Sequence, residues 1–194
     1  MNAEQTEVNL LVTRAFDALR IPYFLCGSMA SSVHGIYRAT ADADFVAAVR
    51  AHQIDSFAAS LQHAFYADAA AIREAVAHGR SFNLIHLQTM LKADVFVLRP
   101  DPFQLTQMRR RVRTSIDENG SQTLFVASAE DTILAKLDWF RQTGGTSDRQ
   151  WNDILGVLKV QGDALDRAHL AEWARELQLT HLLLRAYNDA GFEI

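Results

Sequence analysis

Cys26-Gly27-Ser28-Met29-Ala30, followed by Asp42-Ala43-Asp44-Phe45, is the stretch that decides what this chain folds into. Gly27-Ser28 reads as a turn that opens a short helix, and Asp42 and Asp44 as two acids one residue apart on a strand. Alternate strand residues share a face, so the two carboxylates project together. Neighbouring carboxylates raise each other's pKa and rarely persist without a cation between them. Mg²⁺ suits two carboxylates plus phosphate oxygens. A Gly-Ser helix start, in turn, offers backbone N–H groups to phosphate. Each signal has a plainer reading, since paired acids also line exposed strand ends and Gly-Ser is also an ordinary turn. In combination they describe a site for a metal-bound nucleoside triphosphate.

The 194 residues, 49% hydrophobic and 22% charged, are enough for one large domain or two small ones with a sizeable core. Cys26 is the single cysteine, so no disulfide forms within these residues, and a reducing cytoplasmic setting is expected. Glu4 and Glu7 ahead of Leu10-Leu11-Val12 do not suit a secretory leader. No apolar run approaches the ~20 residues needed to cross a bilayer, so no membrane association is expected. A net charge of −4 argues against a general nucleic-acid coat. Arg109-Arg110-Arg111 with Arg113 forms a local basic run, which fits either a solvated helix end or a phosphate-binding patch.

The hydrophobic spacing predicts an amphipathic helix over residues 3–20, ended by Pro22. Tyr23–Cys26 reads as a buried strand, Met29–His34 as a short helix and Ala43–Val49 as the strand that carries the aspartates. Helices are expected at 54–65 and 67–77, with Gly79 as a stop, then strands at 82–87 and 93–98 and a helix at 102–110. Thr114–Asp117 and Thr123–Val126 flank Glu118-Asn119-Gly120, a hairpin turn signal. Ser128 with Asp131 resembles a capping box that opens a helix to about Gln142, and helices near 148–160, 166–178 and 180–190 follow. The expected class is α+β: a mixed sheet with flanking helices over 1–127, then a helical domain over 128–194.

Gly27-Ser28-x-Ala30-x-x-x-His34-Gly35-x-x-Arg38-x-Thr40-x-Asp42-x-Asp44-Phe45 resembles the nucleotidyltransferase fold of the DNA polymerase beta-like superfamily. It is most similar to the small bacterial branch that includes the nucleotidyltransferase toxins of abortive-infection and toxin–antitoxin systems. Asp94, in Lys92-Ala93-Asp94-Val95-Phe96, fills the place of the third carboxylate. Ala135–Phe140 and Ser147–Asp153 resemble the helical segments that follow, so the likeness covers most of residues 22–160. The Cys26 position departs from the Gly-Gly found in many relatives.

The resemblance implies transfer of a nucleoside monophosphate from a triphosphate to a hydroxyl, with release of pyrophosphate. Asp42, Asp44 and Asp94 would be the catalytic and metal-holding residues, with two Mg²⁺ ions or Mn²⁺ in their place. Gly27 and Ser28 would hold the β- and γ-phosphates. The acceptor is open among RNA (a tRNA end, for the toxin branch), a protein side chain and a small molecule such as an aminoglycoside. An antitoxin protein would be the implied partner. A rival reading is an inactive nucleotide-binding or partner-binding protein that keeps the fold. An Asp-x-Asp phosphohydrolase is disfavoured, because Val46 stands where such enzymes place Thr.

Other residues carry weaker expectations. Arg38 either pairs with Asp42 or contacts phosphate. Lys136, on a helix face with Ile133, Leu137 and Phe140, either snorkels to solvent or reaches phosphate. Arg149 and Asp153 stand four apart on one helix, so an ion pair is expected. His34 reads as a buried helix-end residue, Cys26 as inert, and Trp139, Trp151 and Trp173 as core or interface residues. His52, His63 and His86 show no zinc spacing.

Overall fold

The computed structural model describes residues 3–116, 120 and 122–192. These form two compact units: residues 3–26 with the described residues of 39–126, and residues 27–38 with 127–192.

The first unit is built on a seven-stranded mixed sheet in the order β3-β4-β5-β2-β1-β7-β6. In chain order its strands are β1 (Tyr23–Cys26), β2 (Ala43–Ala47), β3 (Phe65–Tyr66), β4 (Ser81–His86), β5 (Lys92–Val97), β6 (Val112–Ser115) and β7 (Thr123–Val126). β2 runs parallel to β5 and antiparallel to β1, and β1 is parallel to β7. The register aligns Leu25, Phe45, Val95 and Phe82 as one row across β1, β2, β5 and β4. All four are buried. Their neighbours in the chain, Cys26, Asp44, Asp94 and Asn83, form the next row and project from the opposite face.

Helix α1 (Ala3–Ala18) covers the apolar face through Phe16, whose ring lies 5.1 Å from Tyr23 and 6.0 Å from Phe45. Phe57 on α3 (Ile54–Leu61) stacks on Phe16 at 5.1 Å and meets Phe82 edge-on at 6.2 Å. Burying each such ring contributes about 1.5–3 kcal/mol. Helix α4 (Ala69–His78) is capped by the Asp68 carboxylate and stops at Gly79, as the sequence predicts. Asp101 caps α5 (Pro102–Arg110), with Pro102 at the tolerant first position.

Two expectations need correction. Helix α3 stops at Leu61 instead of 65, because Phe65 and Tyr66 pair with His86 and Ile85 as edge strand β3. β2 begins at Ala43, so Asp42 precedes the strand and only Asp44 lies in the ladder. Strands β6 and β7 pair antiparallel as the hairpin requires. The Asn119 turn position lies outside the described residues.

The second unit consists of α2 (Gly27–His34), α6 (Ala129–Gln142), α7 (Asp148–Gln161), α8 (Arg167–Glu176) and α9 (Thr180–Ala190). Ser128, Ser147 and Asp166 cap α6, α7 and α8 with side-chain oxygens. The Ser128–Asp131 box is half made: Ser128 accepts the Asp131 N–H, while Asp131 Oδ1 bonds His169 Nε2 at 2.7 Å. Trp151 is buried against Phe140, and its indole N–H donates to Asp189 at 3.1 Å. Trp139 is 53% exposed, contrary to its expected place in a core or interface.

Residues 27–38, placed by the sequence with the α/β half, pack here because α2 meets α6 and α7. The approach is backbone to backbone. A Cβ on Gly35 would stand 2.7 Å from Val157 N, and one on Gly156 would stand 3.3 Å from Ile36 N. Gly35→Ala is therefore expected to cost about 1–3 kcal/mol, as overpacking does. Gly156→Ala should cost less, and urea denaturation of the two variants checks the order.

Candidate functional site

In the first unit the strand register determines the carboxylate geometry. Asp44 and Asp94 are direct partners on parallel β2 and β5, on the same face. Adjacent strands lie roughly 4.8 Å apart, so the two acids stand side by side. Asp42 is exposed and enters just before the ladder. The segment that leads to it is tied back to α1, where Gln5 donates its side-chain N–H to the Thr40 carbonyl.

Sequence reasoning missed a group that touches Asp94. Lys92 lies two residues before Asp94 on the same face, and its Nζ donates to Asp94 Oδ2 at 2.9 Å. The same nitrogen is 2.8 Å from the buried Oδ1, so the ammonium meets both carboxylate oxygens. The Asp94 hydrogen bond holds the Lys92 ammonium above its ordinary pKa against the cost of burial, and the charges of Asp94, Asp42 and Asp44 add to the effect. The only advance signal was the i, i+2 spacing of Lys92 and Asp94.

Among the described residues, no three acid, histidine or cysteine side chains gather as a ready metal cage. The donor chemistry nevertheless suits Mg²⁺. Asp44 and Asp94 present hard oxygens side by side, and Mg²⁺ is commonly held by one or two carboxylates, water and substrate phosphates.

In the second unit, Gly27 starts α2 with φ +62°, a left-handed conformation that glycine adopts without steric cost. The Ser28 hydroxyl accepts a hydrogen bond from Arg38 Nη2. Arg38 also grips Asp153 with two parallel bonds, Nε to Oδ1 at 2.6 Å and Nη2 to Oδ2 at 2.8 Å. Lys136 Nζ donates to the same Oδ2 at 2.8 Å and to Gln150 Oε1 at 2.9 Å.

Asp153 thus gathers Ser28, Arg38 and Lys136, three residues the sequence nominated separately. Arg38, for which pairing with Asp42 and contact with phosphate both stood open, is held by Asp153. Lys136 is 4% exposed and held by Asp153, so it does not snorkel. The expected Arg149–Asp153 pair is absent among the described contacts: Asp153 is buried with two other cations, whereas Arg149 faces solvent. His34 closes α2 as expected, with Nε2 2.7 Å from the Ala127 carbonyl oxygen, and burial lowers its pKa.

No protein-family model matches this chain, and no curated protein does. Solved structures do. A nucleotidyltransferase-like protein from Paracoccidioides brasiliensis superposes with TM-score 0.57 at 18% identity, over 100% of this chain and 96% of that one. The antibiotic-resistance factor ANT(2″)-Ia gives 0.56 at 10% identity, over 97% and 99%. The lincosamide antibiotic adenylyltransferase LnuA gives 0.53 at 12% identity, over 81% and 98%.

The chain has a nucleotidyltransferase fold. The mixed sheet and trailing helices expected from the sequence are those of this fold, and its second unit holds the Asp153 hub.

Burial pushes the Asp153 carboxyl up, but the hydrogen bonds from Arg38 and Lys136 outweigh it and leave the pKa below the ordinary value. The unfolded chain therefore takes up the proton first as pH falls. The hub's contribution is whole above the ordinary aspartate pKa of about 3.9 and is lost as pH drops through the folded value. Asp153→Asn should flatten this acid-side decline in thermal melts across pH. At neutral pH, Asp153→Ala removes the acceptor of three charge-assisted hydrogen bonds from Arg38 and Lys136 and should cost about 3–5 kcal/mol. Arg149→Ala should stay within about 0.5 kcal/mol of wild type.

Proposed function

We propose that this chain is a Mg²⁺-dependent nucleotidyltransferase that moves a nucleoside monophosphate from a triphosphate to a hydroxyl and releases pyrophosphate. The observation that carries this reading is the same-face pairing of Asp44 and Asp94 on parallel strands of a nucleotidyltransferase fold. A bound Mg²⁺ would neutralise charge building on the phosphate oxygens during in-line displacement.

This chain's own residues have distinct tasks. Asp42 and Asp44 supply the ligand oxygens for the cation. Asp94 accepts the proton of the attacking hydroxyl, which makes that oxygen nucleophilic as its bond to the α-phosphorus forms and the bond to pyrophosphate breaks. Gly27 and Ser28 bind the terminal phosphates through backbone N–H groups and the hydroxyl. A side chain at Gly27 would be strained at its positive φ. Arg38 holds the Ser28 hydroxyl in place, and Lys136 braces Arg38 through their shared carboxylate.

The acceptor we favour is a hydroxyl of a small molecule. Its support is that ANT(2″)-Ia is known in complex with adenylyl-2″-tobramycin and LnuA with lincomycin. A tRNA acceptor and an antitoxin partner rest on the sequence resemblance alone. No described helix is long and apolar enough to cross a membrane.

The test is thermal stability with each ribonucleoside triphosphate and Mg²⁺, paired with a pyrophosphate-release assay. A ligand at 100 times its Kd adds about 2.7 kcal/mol. At this chain length each kcal/mol raises Tm by roughly 2–4 °C. We expect a rise of about 5–11 °C for the preferred triphosphate, absent in Asp42→Asn/Asp44→Asn. Asp44→Asn alone should abolish transfer while leaving the fold intact. An unimpaired Asp44→Asn protein would remove the site, and nucleotide binding with no pyrophosphate from any acceptor would leave the non-catalytic reading.

A further inference from the structure

Lys92 is the one cation described in contact with Asp94, and its position is informative. Nζ lies 2.8 Å from one carboxylate oxygen and 2.9 Å from the other. That near-equal spacing places the ammonium about the carboxylate's own axis, where a cation gripped by both oxygens would sit. Lys92 and Asp94 stand on one face of β5, and Asp44 is the direct partner of Asp94 on β2. Asp94 is 20% exposed, so water screens this contact only in part.

We infer that the Lys92 ammonium takes the place of the second divalent ion, so that the chain binds one Mg²⁺, at Asp42 and Asp44, instead of two. This rests on the carboxylate assignment proposed above. The sheet holds Asp94 side by side with Asp44, and like charges so close disfavour each other. The tethered ammonium meets the Asp94 charge without adding an ion from solution. A divalent ion at Asp94 would have to displace Lys92 and tolerate its charge nearby, since four carbons tether the ammonium to the same strand. Lys92 is thus a positioning residue for Asp94, with its Nζ 2.8 Å from Oδ1 and 2.9 Å from Oδ2.

The experiment is a count of bound Mn²⁺ by equilibrium dialysis and electron paramagnetic resonance, with the α,β-methylene analogue of ATP present. Wild type is compared with Lys92→Met and Lys92→Arg, each first checked for a cooperative melt. We expect one ion per wild-type chain with an uncoupled six-line spectrum, and one in Lys92→Arg. Lys92→Met should bind two, with the broadening of a coupled pair roughly 3.5–4 Å apart. If Lys92→Met does not fold, Lys92→Gln takes its place. Two ions in the wild type, or one in the charge-removed variant, would overturn this inference and leave the proposed function standing. No ion in any protein would overturn the Asp42–Asp44 metal site and the inference with it.

Discussion

The pairing register of four strands is the constraint on which the first unit depends. Side chains alternate with a period of two, so the alignment that stacks Leu25, Phe45, Val95 and Phe82 toward α1 and α3 also sends Cys26, Asp44, Asp94 and Asn83 to the other face. A slip of one residue would bury both acids among aromatic rings and expose the Phe45 row. Core and chemistry are therefore selected together. The apolar row supplies the stabilisation that holds two like charges side by side, and Lys92 offsets what remains of their repulsion.

The second unit solves a different problem with a related device. Three polar groups from separate segments are organised by one buried carboxylate, because Asp153 accepts from a bidentate guanidinium and an ammonium at once. A buried ion cluster of this kind is weak evidence of stability but strong evidence of geometry, since each partner restricts the others' rotamers. Ser28 inherits that order through its bond to Arg38.

Much of this was legible in the sequence where the signal was local. The helix ends at Gly79 and Ser128 carry their own capping chemistry, and Asp-x-Asp with Asp94 identified the acidic strands before any partner was known. What was not legible depended on distance along the chain. Arg38 and Asp153 are far apart in sequence, so nothing near Asp153 revealed that its partner was not Arg149. Phe65 fell in a helical pattern until the edge of β4 gave it somewhere to pair. Lys92 drew no expectation from the sequence, because its significance came only from the row beside it.

The discontinuous make-up of the second unit has a consequence for the nascent chain. The backbone that Gly35 packs against, at Gly156 and Val157, is synthesised about 120 residues after it. At roughly 5–20 residues per second, that interval is on the order of ten seconds. Throughout it, α2 must wait without the helices it packs on, while strands β1 and β2 on either side of it in the chain are already available to pair. A chaperone that recognises short apolar helices would meet Met29 and Ala30 in this window, and a stalled or truncated product would present them indefinitely.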